Sequence, residues 1–374
     1  MTDRLFGMPG SLYTARARSY LIKQHHDFEE AIPADPDWPG VTQRTGRWII
    51  PVLVTASGET VQDGVAIIDH FEARGVRRPA TPETPVHRAL AHLFELFGGE
   101  GLLRPAMHYR WNFDAENLAF LRHDFGAALM PGADVATGDA VFAAASGRMR
   151  KAGASFGVSA ETIPTIEASY AEFLRLLDAH LADYPYLLGG QPTRGDYGLI
   201  GPLYAHLARD PVPAALMKTG FPHVWRWVER MNAPQALLDG HFARGEAMIA
   251  DDGVPETLAA LLRFVAEDFL PELAAHVAHA NAWLAERPEL AAGTNGLDNP
   301  GARGIGMARF AWRGHEITTL VMPYRFWLLD RLHAATGPEA AALFEANGLG
   351  DLLALRTARP VERDGNLEVW GALR

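Results

Sequence analysis

Two patterns of apolar spacing divide the chain. Through the first 75 residues, apolar positions come in short runs broken by turn chemistry. Arg4–Met8 predicts a strand that stops at Pro9-Gly10, and from Ser11 onward Leu12, Ala15, Ser19 and Ile22 share one side of a helix. Asp27–Ile32 predicts a weaker strand, and the Pro- and Gly-rich stretch 33–46 a loop. Next, Arg47–Glu72 reads as strand, turn, strand and helix in one unbroken stretch. Its first strand, Ile49–Val54, is β-branched but carries Pro51, which cannot donate to a sheet ladder and marks an edge, a bulge or a cis bond. Ala56-Ser57-Gly58-Glu59 supplies the turn, and Thr60–Gln62 resumes extended chain. Asp63 stands where a helix N-cap belongs, ahead of Val65, Ile67, Ile68 and Phe71 at helical spacing.

Beyond a Pro-rich linker (75–85), apolar residues recur at three and four. Val86–Asp124 and Thr162–Ala182 predict helices, the second with Tyr170, Phe173, Leu174, Leu177 and Leu181 on one face. Thr193 and Asp196 have capping-box spacing ahead of the apolar helix Tyr197–Leu207. Two helical signals meet at Pro271 within Pro255–Leu290, and a glycine-rich loop, 293–304, follows. Arg309–Trp312 and Glu316–Val321 flank Arg313-Gly314-His315 as a hairpin, helices are predicted over Pro323–Ala335 and Glu339–Asn347, and mixed extended chain ends at Val369-Trp370. These shifts imply three units: 1–75, 86–250 and 251–374. No long Gly/Ser or charged linker separates residue 243 from Pro255. With Trp283, Trp312, Phe326 and Trp327 the third unit has the apolar mass to fold against the second.

Composition narrows the chemistry. The 374 residues contain no cysteine, so disulfides, thiolate nucleophiles and cysteine-type zinc sites are excluded. A net charge of −11 argues against nucleic acid and anionic membranes as partners. No segment reaches the ~18 apolar residues needed to span a bilayer, so a cytoplasmic protein is expected. His276 and His279 stand three apart on a helix, but the sequence places no further ligand beside them, and no metal is expected.

The opening LFGMPGSLYTARARSYL, the Ile50-Pro51 and Gln62-Asp63 pairs, and the Thr193/Asp196 cap together resemble the glutathione transferase family over about residues 4–245. The resemblance implies a thioredoxin-like α/β N-terminal domain that binds glutathione, an all-helical second domain, and a mainly helical C-terminal extension that an ordinary transferase lacks. It implies that Ser11 activates the glutathione sulfur. A hydroxyl at a helix N-terminus can donate to a thiolate, and a serine there also caps the helix; the two roles are compatible. Tyr13 is a second candidate hydroxyl. The backbone of Ile50, ahead of a cis Pro51, would pair with the cysteinyl part of glutathione, and Gln62-Asp63 would hold its γ-glutamyl end. Tyr109 and Trp111, with His108 and Phe113, would either pack as core or wall a pocket for a small apolar electrophile. A homodimer with a detoxifying role follows from the same likeness.

One departure stands out. The family usually has serine where this chain has Asp63, and an aspartate there would repel the γ-glutamyl carboxylate by on the order of 1 kcal/mol unless it turns to the ligand's ammonium or to an arginine. Two functions therefore compete: a Ser-type transferase, and a binding or scaffold protein that keeps the fold without turnover. Arg16 or Arg18, early in an otherwise apolar helix, is expected to face inward and pair with Asp69 or Glu72.

Overall fold

A computed structural model describes residues 2–235, 242, 245–299 and 301–374; residues 243 and 244, at the start of the junction expected to lack a linker, lie outside them. The N-terminal unit runs β1 (Asp3–Phe6), α1 (Leu12–Lys23), β2 (Phe28–Ala31), α2 (Trp38–Thr45), β3 (Val52–Val54), β4 (Thr60–Gln62) and α3 (Gly64–Glu72). Its sheet has the order β2-β1-β3-β4, with β1 parallel to β2 and the other pairs antiparallel. The expected β-α-β-β-β-α order is present, with one addition. The stretch read as loop holds α2, a two-turn helix whose Trp38 and Val41 are buried against Phe6 and Val52. Pro39 sits in its first turn and Gly46 closes it at positive φ, so the residues that suggested a loop are the helix's start and stop. Pro51 shortens the next strand: β3 begins only at Val52, where a ladder donor becomes available.

The helical unit comprises α4 (Pro85–Leu96), a π-turn (Phe97–Gly101), α5 (Leu103–Trp111), α6 (Asp114–Leu129), α7 (Val135–Gly153), α8 (Ile163–Asp183), α9 (Arg194–Ala205), α10 (Pro211–Gly220) and α11 (Pro222–Met231). The region read as one helical stretch, 86–124, is thus four elements. The most enclosed is α9, opened by the expected capping box of Thr193 and Asp196. Asp196 also accepts from the Leu187 N–H and the Trp227 indole, so this buried carboxylate ties three segments together. A Cβ on Gly98 or Gly198 would come within 2.4 or 2.7 Å of facing backbone, which is why glycine occupies both faces where α9 crosses α4 and the π-turn.

The C-terminal unit follows: α12 (Glu256–Asp268), α13 (Leu270–Ala285), the hairpin β5 (Met307–Trp312) and β6 (His315–Leu320), α14 (Tyr324–Ala335), α15 (Pro338–Ala346), and a second hairpin, β7 (Val361–Asp364) and β8 (Leu367–Trp370). Arg313 and Gly314, both at positive φ, make the tight two-residue turn of the first hairpin. Burial alternates along β5, with Ala308, Phe310 and Trp312 inward. One apolar core runs from Leu5 through α4 and α8 to Leu329 and Trp370, so the third unit shares its interior with the other two. A buried ionic cluster crosses the same seam. Arg325 donates to Glu272 (2.8 Å) and Glu100 (3.3 Å), and Arg104 donates to Glu272 (2.6 Å).

The helix-1 arginines behave differently from expectation. Arg16 is buried, but it donates to the Glu95 carbonyl (3.4 Å), and Arg18 reaches Glu30 and Asn232. Asp69 pairs with Arg194 and Arg331, and Glu72 accepts from the Tyr20 hydroxyl and the Ala80 N–H. Asp69 is thus met by α9 and α14, two long-range partners that the period of α1 cannot announce, while α1 reaches Glu72 through Tyr20 and not through an arginine.

Candidate functional site

A cavity of about 300 Å³ opens between the N-terminal sheet, the start of α1 and the end of α5. Ser11 borders it as the N-cap of α1, and its Oγ accepts from the Thr14 N–H at 3.3 Å. That bond uses an oxygen lone pair and leaves the hydroxyl proton free, so a cap can still donate to an anion. Tyr13 also borders the cavity; burial, reinforced by Glu100, pushes its phenol up and keeps it a neutral donor. Within the described residues its hydroxyl has no hydrogen-bond partner.

The other wall is the stretch 48–63. The Ile50–Pro51 bond is cis, and neither backbone group of Ile50 is hydrogen-bonded within the described residues. The Pro51 carbonyl accepts from the Asp63 N–H (3.2 Å), which fastens β3 to the start of α3. Asp63 has φ of 94°, and its Oδ1 caps α3 by accepting from the Val65 (2.8 Å) and Ala66 (3.2 Å) N–H groups. The helix-start donors that could grip a ligand carboxylate are therefore taken by the chain's own carboxylate. Ser11, Tyr13, Ile50, Gln62, Asp63 and Trp111 all border the one cavity. Pro51 does not line it. Met107, Trp111, Phe125 and Met149 make its far side apolar. Tyr109 is placed elsewhere: it stacks on Phe113 and packs against Tyr170 and His108 in the core.

The C-terminal unit supplies groups that the sequence did not announce. The Tyr324 hydroxyl donates to Asp63 Oδ2 (3.0 Å), and Arg363 Nη2 donates to Gln62 Oε1 (2.6 Å). Both protein groups assigned to the γ-glutamyl end are thus engaged by residues of the extension. Arg303 borders the cavity beside them. Glu368 receives both Arg303 Nε (3.1 Å) and Nη2 (2.8 Å), along with Arg363 Nη1 (2.5 Å). Burial opposes the Arg303 charge, but Glu368 outweighs it and holds the guanidinium above its ordinary range. Farther along, Arg47 donates to the Asn366 and Gly301 carbonyls, seating the β7–β8 turn beside the α2–β3 connection. Burial pushes the Arg47 guanidinium down, with Arg303 and Arg363 adding to the effect and Glu368 opposing it.

His276 and His279 are structural. Arg325 can only donate, so His276 Nδ1 accepts from it (2.8 Å), and Nε2–H donates to Thr319 Oγ1 (2.7 Å). His279 bonds the Ile305 carbonyl (3.2 Å). Among the described residues no cluster of three metal-ligating side chains occurs, and no helix is long and apolar enough to cross a membrane.

Family comparison bears on both transferase-like units. Residues 5–79 match the model for the glutathione S-transferase N-terminal domain, and residues 160–230 that for the C-terminal domain. Among solved structures, a glutathione S-transferase from Xanthobacter autotrophicus is similar at 24% identity, covering 63% of this chain and 95% of its own, with a TM-score of 0.35. Glutathione transferase GSTFuA3 from Phanerochaete chrysosporium is similar at 17% identity over 64% and 99% of the two chains, with a TM-score of 0.44. A Methylobacterium radiotolerans glutathione S-transferase in complex with glutathione sulfonate is similar at 19% identity over 68% and 100%, with a TM-score of 0.37. No curated protein matches the chain. Over residues 5–79 and 160–230 the chain thus carries the N-terminal and C-terminal domains of the glutathione S-transferase family.

Proposed function

We propose that this protein is a Ser-type glutathione transferase that activates the glutathione thiol for attack on a small apolar electrophile. The observation that carries this reading is the convergence of Ser11, Ile50, Gln62 and Asp63 on one cavity with an apolar far wall. The Ser11 hydroxyl would donate to the sulfur while the α1 N-terminus favours its negative charge, which lowers the thiol's pKa. The unbonded backbone groups of Ile50 would pair with the cysteinyl residue. Met107, Trp111 and Phe125 would hold the electrophile opposite, out of water.

A second reading has its own support. Tyr324 and Arg363 already occupy Asp63 and Gln62, as expected of a transferase fold turned into a binding protein without turnover. Calorimetric titration with glutathione, followed by a conjugation assay with an aromatic halide, separates the two. Saturable binding with turnover supports the transferase. Binding without turnover favours the second reading, and absence of binding removes the first.

A further inference from the structure

Among the polar groups around the cavity, Arg303 differs in what it has left to offer. Asp63 caps α3 and receives Tyr324, while Gln62 receives Arg363. Arg303 spends one edge of its guanidinium on Glu368, through Nε and Nη2. A guanidinium carries five N–H donors, so the Nη1 group and the second Nη2 proton remain, arranged as a fork that matches a carboxylate. Those donors belong to a residue bordering the cavity, and the guanidinium lies 5.5 Å from the Tyr324 ring, which fixes its side. Glu368 is buried, so it acts as a rigid support that sets the plane of the fork.

We propose that Arg303, delivered by the C-terminal extension and oriented by Glu368, is the carboxylate-binding residue at the γ-glutamyl pole. It would do the work that the α3 N-terminus cannot do once Asp63 has capped it. This rests on the glutathione reading above and refines it: the extension is part of the substrate site, and the negative end of the ligand is read by a residue outside both family domains. The arrangement also accounts for how a carboxylate is tolerated beside Asp63. An anion there meets the remaining donors of Arg303, and the Asp63 oxygens are turned to their own donors.

The test compares glutathione with γ-aminobutyryl-cysteinyl-glycine, which lacks only the γ-glutamyl α-carboxylate, by calorimetry on the full chain and on Arg303→Met. The parent is expected to bind the analogue 10- to 100-fold more weakly than glutathione, the range for a lost charge-assisted pair. Arg303→Met should bind both about equally weakly, raising KM for glutathione with little change in kcat. Glu368→Gln, which keeps the arginine but loosens its fork, should fall between them. If the parent binds both peptides equally, Arg303 is not the carboxylate site; this holds without any variant, should Arg303→Met fail to fold. A folded Arg303→Met that keeps the parent's discrimination also overturns the proposal while leaving the glutathione reading intact. A parent that binds neither peptide ends both.

Discussion

Ser11 carries two jobs that a single substitution can separate. As a cap it satisfies the Thr14 N–H; as a donor it would face the glutathione sulfur. Ser11→Ala removes both, and the cap alone is worth about 1 kcal/mol of stability. If the hydroxyl also stabilises the thiolate, conjugation should slow by one or more orders of magnitude while glutathione affinity changes much less, as with loss of a single anion-stabilising donor elsewhere. Steady-state kinetics on the folded variant decide it; unchanged turnover leaves Ser11 as a cap only. This residue was legible because caps and turns follow local rules: Ser11, Ile50-Pro51 and Asp63 are all set by chain neighbours within a few positions. Tyr324, Arg303 and Arg363 were not. Tyr324 and Arg303 reach the cavity from 240 or more residues beyond Asp63, and Arg363 meets Gln62 at a separation of 301 positions. Nothing in the local spacing of an arginine in a glycine-rich loop indicates which carboxylate will orient it.

At the scale of elements, glycine separates tight crossings from open surfaces. Gly198 lies inside α9, where alanine would gain about 1 kcal/mol of helix propensity. Its added Cβ would sit 2.7 Å from Glu95 Cα and the Phe94 carbonyl, and backbone cannot swing away as a side chain can. The steric cost wins, and Gly198→Ala should destabilise the protein by roughly 2 kcal/mol or more. Gly126 in α6 and Gly138 in α7 have nothing within 4 Å of the same position. Alanine at either should stabilise by about 0.4–1 kcal/mol. Denaturant titration of the three variants tests the contrast, and a stabilising Gly198→Ala would mean that α4 and α9 do not cross this closely. The periodicity that predicted these helices says nothing of their crossing distances. For the same reason the long helical signal over 86–124 hid three breaks: the apolar period survives Gly98, Gly99 and Asn112 although the α-helix is interrupted there.

At the scale of the molecule, the extension is held by a seam in which Glu272 faces two guanidiniums, Arg104 and Arg325, with neutral His276 beside them. Burial works against the Glu272 charge, but the two arginines outweigh it and hold the carboxyl down at about 2. Among the described residues Glu100, on the π-turn, forms an ion pair with Arg325 alone and one of its oxygens has no hydrogen-bond partner; burial pushes it up against the pull of Arg325, Arg303 and Arg16. The two carboxylates therefore respond to acid in opposite senses, and a variant is needed to isolate one. A group depressed on folding contributes stability that is full above its unfolded value, near 4.5, and fades as pH falls toward its folded value. Glu272→Gln removes the charge at every pH and leaves two buried arginines short of a partner, so at pH 7 it should cost about 3–5 kcal/mol. As pH drops below about 5, the parent begins to protonate the same carboxyl on unfolding and loses the same advantage. The gap between parent and variant should then narrow, by on the order of 3 kcal/mol over the full window. Hydrogen exchange in α12–α14, followed in both proteins from pH 7 to 3.5, reads this gap directly. A gap that stays constant across that range would show that Glu272 does not hold the extension through its charge.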